Sequence, residues 1–417
     1  MIAVIGKSTI DGNISAPPSK SYTIRALICA ALANGGSKLY NFLLAEDSDA
    51  AVRTLSGIGA VISFDKDGWR VNGGKLQAPN GELFCGESAA TLRFLTAICS
   101  LIEGESRLTF GPSLAKRPIA PLLDALRDLG VAIRQEDKTV IVKGGKVEGG
   151  IVELDGDISS QFVSSLLMAA PLMEKGLSIS LSSAPVSIPY IKMTLDILDH
   201  FGIKVETDTK LRKYKVAPQH YNASDVIIEG DWSSASCPLA LGASGGFTCV
   251  SGLNARSFQA DKIMLKLLER MGVTVQIHSH KVTASKCMLN ALEADLTNSI
   301  DLLPVLAALA ALAEGQSILK GIAKARLKES NRVLAMREGL NRMGIAVSEE
   351  EDNLIITGGK PNGAEIDSYG DHRIAMAFSI IGAAVGNTRI RGAECVGKTY
   401  PMFWQDFKSL GGKVAIK

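Results

Sequence analysis

Two interleaved series of glycines, repeating along the whole chain, restrict the possible fold more than any other feature of the sequence. One series follows amphipathic helices and precedes an alternating strand, as in "LERMGVTV"; its members are Gly59, Gly130, Gly202, Gly272, Gly344 and Gly411. The other closes helices rich in small residues, at Gly35, Gly104, Gly176, Gly245, Gly315 and Gly386. A lone glycine after a helix is a common C-cap. Two series that keep one period of about seventy residues indicate six copies of one unit.

The segments between the helices predict the composition of each unit. Stretches such as "SRLTFGP" and "KTVIVKGG" alternate apolar and polar residues, the period of a strand. We therefore predict six βαβαββ units. Because 417 residues exceed one ordinary hydrophobic core, the units should form two α/β domains of three.

Composition excludes several classes of function. The net charge is only +2, and the 45 basic residues are spread along the chain, so we expect no nucleic-acid partner. The seven cysteines contain no C-x-x-C pair and favour buried thiols in a reducing compartment. The N-terminus does not resemble a signal peptide, and the apolar stretch at 301–315 is too short for a membrane span. We predict a cytoplasmic chain with no membrane partner.

Cations at predicted helix starts suggest an anionic ligand. Lys20 and Arg25 lie in the first turns of a helix predicted from Ser19 to Asn34, where the helix dipole favours acids. Similar positions are taken by Arg117, Lys328, Arg332, Arg373 and Lys398. Each alone could be an ordinary loop or surface cation. Together they predict a small, strongly negative ligand with phosphate and carboxylate groups.

Two acids are candidates for proton transfer. Asp301 begins a very apolar helix, and Glu329 lies between Lys328 and Arg332. Asp301 could equally be a dipole partner, and Glu329 could pair with Lys328. If the segment is helical from Lys328, then Lys328 and Arg332 share a face. The sequence has no metal-ligand spacing and no P-loop or dinucleotide fingerprint, so we expect no metal and no cofactor.

Nine segments, in order along the chain, resemble the 5-enolpyruvylshikimate-3-phosphate (EPSP) synthase family. They are "PSKSYTIRALICAALA", "GESAATLRFL", "KRPIAPLLDAL", "DISSQFVSSLLMAAPL", "SIPYIKMTLDIL", "EGDWSSASCPLA", "RLKESNRVLAM", "YGDHRIAMAF" and "VGKTYPMFW". The resemblance implies an inside-out α/β barrel of two domains, residues 1–17 with 229–417 and residues 18–228, with the active site in the cleft between them. It also implies transfer of the enolpyruvyl group of phosphoenolpyruvate to the 5-hydroxyl of shikimate-3-phosphate through a tetrahedral intermediate. This reaction belongs to aromatic amino acid biosynthesis. We expect a monomer.

The resemblance also assigns roles to individual residues. Catalysis would fall to Asp301, Glu329 and Lys20. Shikimate-3-phosphate would be held by Lys20, Ser21, Arg25, Ser159, Ser160, Gln161, Ser187, Asp301, Lys324 and Lys328. Phosphoenolpyruvate would be held by Lys20, Ala89, Arg117, Gln161, Arg332, Arg373 and Lys398.

Five of the departures from the family pattern bear on the site. Glu87, Ala89 and Phe94 replace Asn, Gly and Pro of the G-N-A-G-T-A-M-R-P segment. Lys324 stands where many members have an Asn, and Asn331 replaces a common Asp. We hypothesise that the extra methyl of Ala89 narrows the phosphoenolpyruvate pocket and weakens the family inhibitor glyphosate more than the smaller substrate.

Two other functions are compatible with the same scaffold. The sister enzyme that uses UDP-N-acetylglucosamine usually has a reactive Cys in the loop before its R-P segment, whereas "GPSLAKRP" has none. A non-catalytic anion-binding protein would not need the acids Asp301 and Glu329, or Lys398.

Overall fold

The computed structural model describes residues 1–66 and 68–417. The chain divides into two compact units, Met1–Pro17 with Glu229–Lys417 (unit 1) and Pro18–Ile228 (unit 2). Each unit has its own contiguous hydrophobic core. The chain therefore passes from unit 1 to unit 2 at Pro17 and returns at Glu229.

Six four-stranded sheets make up the β structure of the described residues. In each sheet the first two strands of a βαβαββ unit are parallel, and the last two form an antiparallel pair beside the second. That pair is a hairpin in all sheets except the one that contains β1 and β24. The strands are β1 (Ile2–Gly6), β2 (Ile10–Ser15), β3 (Gly35–Tyr40), β4 (Val61–Asp65), β5 (Gly68–Gly73), β6 (Leu83–Phe84), β7 (Gly104–Thr109), β8 (Ala132–Glu136), β9 (Thr139–Gly144), β10 (Gly150–Leu154), β11 (Leu177–Leu181), β12 (Glu206–Thr207), β13 (Lys213–Val216), β14 (Val226–Ile227), β15 (Gly246–Ser251), β16 (Thr274–His278), β17 (Lys281–Ser285), β18 (Glu293–Asp295), β19 (Gln316–Lys320), β20 (Ala346–Glu350), β21 (Asn353–Thr357), β22 (Glu365–Asp367), β23 (Thr388–Arg391) and β24 (Lys413–Ile416).

Each sheet is accompanied by two α-helices. The helices are α1 (Lys20–Leu32), α2 (Glu46–Gly57), α3 (Ala89–Cys99), α4 (Ala120–Asp128), α5 (Ser160–Ala169), α6 (Ile188–His200), α7 (Trp232–Gly245), α8 (Met264–Arg270), α9 (Leu303–Leu312), α10 (Arg332–Arg342), α11 (His372–Val385) and α12 (Phe403–Ser409). Short 3₁₀ turns supplement them at Leu114–Lys116, Ala170–Leu172, Ala260–Ile263, Ile300–Leu302, Ala323–Leu327 and Ala393–Lys398. The predicted sixfold βαβαββ repeat and the α/β class are confirmed.

Three of the six sheets are completed by strands distant in sequence. The strand β2 is parallel to β15, and β14 is parallel to β3. The strand β1 lies between β23 and β24 as the last strand of the sixth repeat. Each crossing separates a first strand from the helix that follows it. The strand β14, which precedes the crossing at Glu229, completes the repeat that contains α1, and β2, which precedes the crossing at Pro17, completes the repeat that contains α7.

The first helix of each repeat is buried, and the sheets lie outside. In α1, for example, every residue from Tyr22 to Leu32 is buried, and in α9 every residue from Leu303 to Ala311 is buried. Helices that are apolar on all sides belong in a core. This is the inside-out arrangement that the resemblance predicted.

The glycine series end helices in the left-handed region that favours glycine. All six members of the first series have positive φ, for example 101° at Gly59 and 90° at Gly272. The second series has one exception: Gly245 is still helical, and the chain leaves α7 at Gly246 with φ 160°.

Several predicted helix starts differ from the structure. The helix α1 spans Lys20–Leu32 rather than Ser19 to Asn34. Asp231 caps α7, because its carboxylate accepts the Ser234 amide at 2.7 Å. The helix α9 starts at Leu303, so Asp301 lies in the 3₁₀ turn before this helix rather than at its first residue. Among the described residues, no helix is long and apolar enough to cross a membrane.

Candidate active site

The centre of the candidate site in unit 1 is Arg332, the first residue of α10, whose side chain is only 1% exposed. Its Nη1 lies 2.6 Å from Asp301 Oδ1, and its Nη2 lies 2.7 Å from Glu329 Oε2. Its Nε donates to Asp371 Oδ2 at 2.8 Å. Burial lowers the pKa of Arg332, but three carboxylates outweigh it and hold the pKa well above the usual value. Arg332 is therefore a permanent cation.

Asp301 lies between two cations of this cluster. Besides Arg332, its Oδ1 lies 3.2 Å from Lys328 Nζ. Burial raises the pKa of Asp301, but Lys328, Arg373 and Arg332 outweigh that effect and lower the pKa well below the usual range. Asp301 is thus ionised and can accept a proton, although the same cations make it a weak base.

Arg373 and Asp261 extend the cluster to the N-terminus of α7. Arg373, near the start of α11, donates from Nη1 to the Ser233 carbonyl at 3.3 Å. The Ser233 hydroxyl donates to Asp261 Oδ2, while Asp261 Oδ1 is buried without a hydrogen bond. Burial and the charge of Asp301 raise the pKa of Asp261 to about 6. These contacts bring the N-terminal ends of α7, α9, α10 and α11 together, as the predicted anion-binding face requires.

The hypothesis of a helix that begins at Lys328 is wrong. The helix begins at Arg332, because Asn331 caps it by accepting the Leu334 amide at 3.1 Å. Glu329 pairs with Arg332, and Lys328 pairs with Asp301. Asn331, which replaces the family Asp, is therefore the helix cap.

Lys398 and Lys324 lie on 3₁₀ turns of unit 1. Lys398 is the last residue of the turn Ala393–Lys398, and its side chain is only 6% exposed. The alternative of a solvent-exposed loop lysine is therefore wrong. In the part of the chain that the structure describes, Lys398 has no carboxylate within salt-bridge distance. Lys324 lies on the 3₁₀ turn Ala323–Leu327.

In unit 2, Lys20 is the first residue of α1. Its Nζ lies 3.0 Å from Asp47 Oδ2, and Asp47 is almost fully buried. Lys20, Lys328 and Arg332 thus all have carboxylate partners within the protein. These three cations therefore need no ligand to balance their positive charge, because other elements of the protein supply carboxylates. For them the inference of a ligand from the helix dipole is wrong.

Arg25 differs from these cations because its hydrogen-bond partners are neutral. Its Nε donates to Thr194 Oγ1 at 2.8 Å, and its terminal nitrogens donate to the carbonyls of Ser21 and Tyr190 at 3.0 and 3.3 Å. Burial lowers the pKa of Arg25 to about 10. Arg25 remains charged at neutral pH and is poorly neutralised, which suits a group that binds an anion.

Gln161 is held by an arginine that the sequence analysis did not assign to the site. Arg93 Nη1 donates to Gln161 Oε1 at 2.7 Å, and Arg93 Nη2 donates to the Pro118 carbonyl at 2.6 Å. Arg93 thus connects α3 to Gln161 on α5 and to the residue after Arg117.

The four candidate serines lie at helix starts, and Ser21 is the second residue of α1. Ser159 caps α5 by accepting the Gln161 amide at 3.3 Å, and Ser160 is the first residue of that helix. Ser187 precedes α6 and has a φ of 53°. This left-handed backbone conformation is rare for residues other than glycine and asparagine. Such backbone strain is common at binding sites.

Two family departures, Glu87 and Ala89, lie at the start of α3. Glu87 accepts the backbone amides of Ser113 at 3.2 Å and Leu114 at 2.7 Å. It thereby anchors the 3₁₀ turn Leu114–Lys116, which Arg117 follows directly. Ala89 is the first residue of α3 and is buried.

The structure adds three residues to which the sequence patterns assigned no role. They are Asp47, Asp261 and Arg93, and their three-dimensional partners identify them. Asp371 had a signal, because it lies between a glycine turn and an apolar helix. Across residues 1–66 and 68–417, no group of three or more His, Cys, Asp or Glu residues could hold a metal ion.

The fold and these clusters define an α/β enzyme for small anionic substrates, with carboxylates placed among buried cations. The family model for EPSP synthase (3-phosphoshikimate 1-carboxyvinyltransferase) matches residues 4–407. A 3-phosphoshikimate 1-carboxyvinyltransferase of Dehalococcoides mccartyi is 51% identical over 412 residues, which cover 98% of each chain. One from Methanocaldococcus jannaschii is 40% identical, with full coverage of both chains.

Solved structures agree. EPSP synthase from Acinetobacter baumannii is similar with a TM-score of 0.82 and 28% identity, covering 100% of this chain and 99% of that chain. The enolpyruvyl transferase NikO from Streptomyces tendae has a TM-score of 0.80 at 19% identity, which supports the fold alone. The chain belongs to the EPSP synthase family. The reaction of the family is transfer of the enolpyruvyl group of phosphoenolpyruvate to shikimate-3-phosphate, as the resemblance predicted.

Proposed function

We propose that this chain carries out enolpyruvyl transfer with Asp301 and Glu329 as the proton-transfer residues. The observation that carries the proposal is that both acids bind the same buried guanidinium, that of Arg332, at 2.6 and 2.7 Å. One cation thus sets the position and ionisation of both groups. A protein that only bound anions would have no need to keep two carboxylates there.

The cations of the two units bind the substrates in this proposal. Shikimate-3-phosphate is held by Lys20, Ser21, Arg25, Ser159, Ser160, Gln161, Ser187, Asp301, Lys324 and Lys328. Phosphoenolpyruvate is held by Lys20, Ala89, Arg117, Gln161, Arg332, Arg373 and Lys398. Both units thus supply residues that bind the substrates in this proposal.

Substrate binding changes the basicity of Asp301. In the ligand-free protein, Lys328, Arg373 and Arg332 stabilise the Asp301 carboxylate and lower its pKa. The phosphate and carboxylate groups of the substrates offset those positive charges, which raises the pKa of Asp301. Asp301 then accepts the proton of the 5-hydroxyl as that oxygen attacks C2 of phosphoenolpyruvate.

Glu329 handles the second proton. It takes up a proton from solvent when the substrates bind, and it donates that proton to the methylene carbon C3 as the 5-oxygen bonds to C2, which gives the tetrahedral intermediate. It then takes a proton back from the resulting methyl group as the bond from C2 to the phosphate oxygen breaks, so the vinyl group is restored. The proton held by Asp301 passes to the departing phosphate, which returns Asp301 to its ionised form. Lys20 assists by stabilising the negative charge of the substrates.

Asp301→Asn and Glu329→Gln test these roles. We expect each substitution to lower kcat for phosphate release by at least about 100-fold. Binding of shikimate-3-phosphate, measured by titration calorimetry, should change far less. Glu350→Gln, at an exposed glutamate of unit 1, is the control and should leave both quantities unchanged. Loss of binding with proportionate loss of turnover would reassign the acids as structural residues.

We also propose that the enzyme is a cytoplasmic monomer. All seven cysteines are free thiols in the structure, which fits a reducing compartment. Light scattering after size exclusion should give a mass near 44.1 kDa. A mass of twice that value would contradict the monomer.

A further inference from the structure

Phe94 is a buried aromatic residue that touches the guanidinium of Arg25. It lies in the middle of α3, is fully buried, and stands where the family pattern has Pro. Arg25 Cζ lies over its ring, 5.1 Å from the centroid. This is within the range of a cation–π interaction, which is strongest where water is excluded.

The neutral surroundings of Arg25 make this contact important. Its internal hydrogen bonds go to a hydroxyl and two carbonyls, and none of these carries a charge. A carboxylate would hold the guanidinium more firmly, but it would also neutralise the charge that an anionic ligand needs. The negative face of an aromatic ring attracts and orients the guanidinium and leaves its full charge available.

The hydrogen bonds of Arg25 also leave donors for a ligand. A guanidinium has five N–H groups, and Nε and each terminal nitrogen make one hydrogen bond within the protein. Each terminal nitrogen therefore keeps a second N–H, which is the pair that binds a planar anion in bidentate fashion. That geometry requires a fixed guanidinium plane, and the Phe94 ring limits the motion of this plane.

We propose that Phe94 is a positioning residue that orients Arg25 for an anionic group of shikimate-3-phosphate. The inference rests on the proposed function, because Arg25 is assigned there to this substrate. It gives a role to a residue whose family counterpart, a proline, has no aromatic ring to place against a guanidinium. The neighbouring residue supports the same arrangement, since Arg93 lies over Phe162, with its Cζ 5.0 Å from that ring centroid, and holds Gln161.

Phe94→Leu and Phe94→Met test the proposal, because both keep an apolar side chain and remove the ring. Proline is unsuitable, since at this position it would break a hydrogen bond inside α3. We expect either variant to raise KM for shikimate-3-phosphate about tenfold, with KM for phosphoenolpyruvate changed less than twofold. Phe201→Leu is the matched control. Phe201 is equally buried in the core of unit 2, and among the described residues no guanidinium lies over its ring.

The control separates positioning from packing. Phe201→Leu should lower the melting temperature as Phe94→Leu does, without raising KM for shikimate-3-phosphate. If Phe94→Leu lowers stability but leaves that KM unchanged, or raises both KM values equally, the proposal is overturned.

A second measurement does not depend on turnover. In the ligand-free protein, the ring of Phe94 should shift the NMR signals of the Arg25 guanidinium, which are assigned by their loss in Arg25→Lys. Phe94→Leu should remove this shift, and unchanged Arg25 signals would contradict the proposal. If the wild-type protein gives no turnover while this shift is present, the proposed function fails and the contact between Phe94 and Arg25 stands.

Discussion

Single residues at the start of α3 determine how the proposed phosphoenolpyruvate site differs from the family pattern. Ala89 adds one methyl group where other members have glycine. A pocket can discriminate by about tenfold or more on the basis of one such group. We expect Ala89→Gly to bind glyphosate at least about tenfold more tightly than the wild-type chain, with a smaller change in KM for phosphoenolpyruvate. Inhibition constants for both proteins check this, and equal, tight inhibition of both would rule it out.

Glu87 gives a second prediction at this scale. Its carboxylate accepts two backbone amides of the turn that leads to Arg117. Glu87→Ala should leave those amides without this acceptor, loosen the turn and raise KM for phosphoenolpyruvate several-fold, with KM for shikimate-3-phosphate nearly unchanged. Glu105→Ala, on the exposed side of β7, is the control and should change neither KM. If Glu87→Ala behaves like the control, the anchoring role is wrong.

The pH dependence of stability tests the burial of Asp261. Burial and the charge of Asp301 raise the pKa of Asp261 from 3.8 to about 6. Between these values the folded protein keeps the proton that the unfolded chain releases, so the contribution of Asp261 to the free energy of unfolding falls as the pH rises. By about pH 7 the loss is of the order of 2–3 kcal/mol.

Asp261→Asn removes this titration. Urea unfolding at several pH values should show the variant gaining stability relative to wild type from about pH 4 to about pH 7. The other charged groups that face Asp261 are Asp301, Asp231 and Arg373. The lowered pKa of Asp301 and the raised pKa of Arg373 keep these two groups charged over this window. A difference between the two proteins that is independent of pH would show that Asp261 is ionised throughout.

At the scale of elements, the start of α10 controls the Arg332 cluster. Asn331 caps the helix, and Arg332 is the next residue. We expect Asn331→Ala to lower the free energy of unfolding by about 1 kcal/mol, because the first turn of α10 loses its cap. It should also reduce kcat/KM, because the backbone of Arg332 is then held less firmly in that turn. Asn331→Asp restores the family residue and keeps a capping oxygen, so it should retain both stability and activity. Equal loss in both variants would mean that the cap has no part in positioning Arg332.

The repeated helices and strands could be predicted from the sequence. The pairing of the strands that complete three of the six sheets could not. Glycine spacing and alternating strands depend on local residues, so the βαβαββ order followed from them. Strands β2 and β14 keep the period along the sequence but exchange partners, and β1 joins the sixth repeat from the other end of the chain. No local pattern reveals these pairings. The same limit applies to the site. The helix dipole identified Lys20 and Arg332 as unusual, but Asp47 and Asp371 come from other elements, and only the folded chain shows those pairs.

At the scale of the whole molecule, the proposed division of the site between two units predicts a response to substrate. Shikimate-3-phosphate should draw the units together and stabilise the chain, by about 2.7 kcal/mol at 100 times its Kd. X-ray scattering and thermal unfolding measure these two effects. Lys20→Ala should weaken both, because it removes a proposed ligand cation and leaves Asp47 without that partner. Lys210→Ala, an exposed lysine of unit 2, should respond as wild type does. An undiminished response in Lys20→Ala would contradict the role of that lysine.

The most direct test of the central claim is ³¹P NMR of the purified protein with shikimate-3-phosphate and phosphoenolpyruvate. We predict loss of the phosphoenolpyruvate signal, growth of an equal amount of inorganic phosphate, and a new phosphomonoester signal from enolpyruvylshikimate-3-phosphate. A parallel sample with UDP-N-acetylglucosamine should remain unchanged. No phosphate from correctly folded protein, or phosphate only in the UDP-sugar sample, would contradict the assignment.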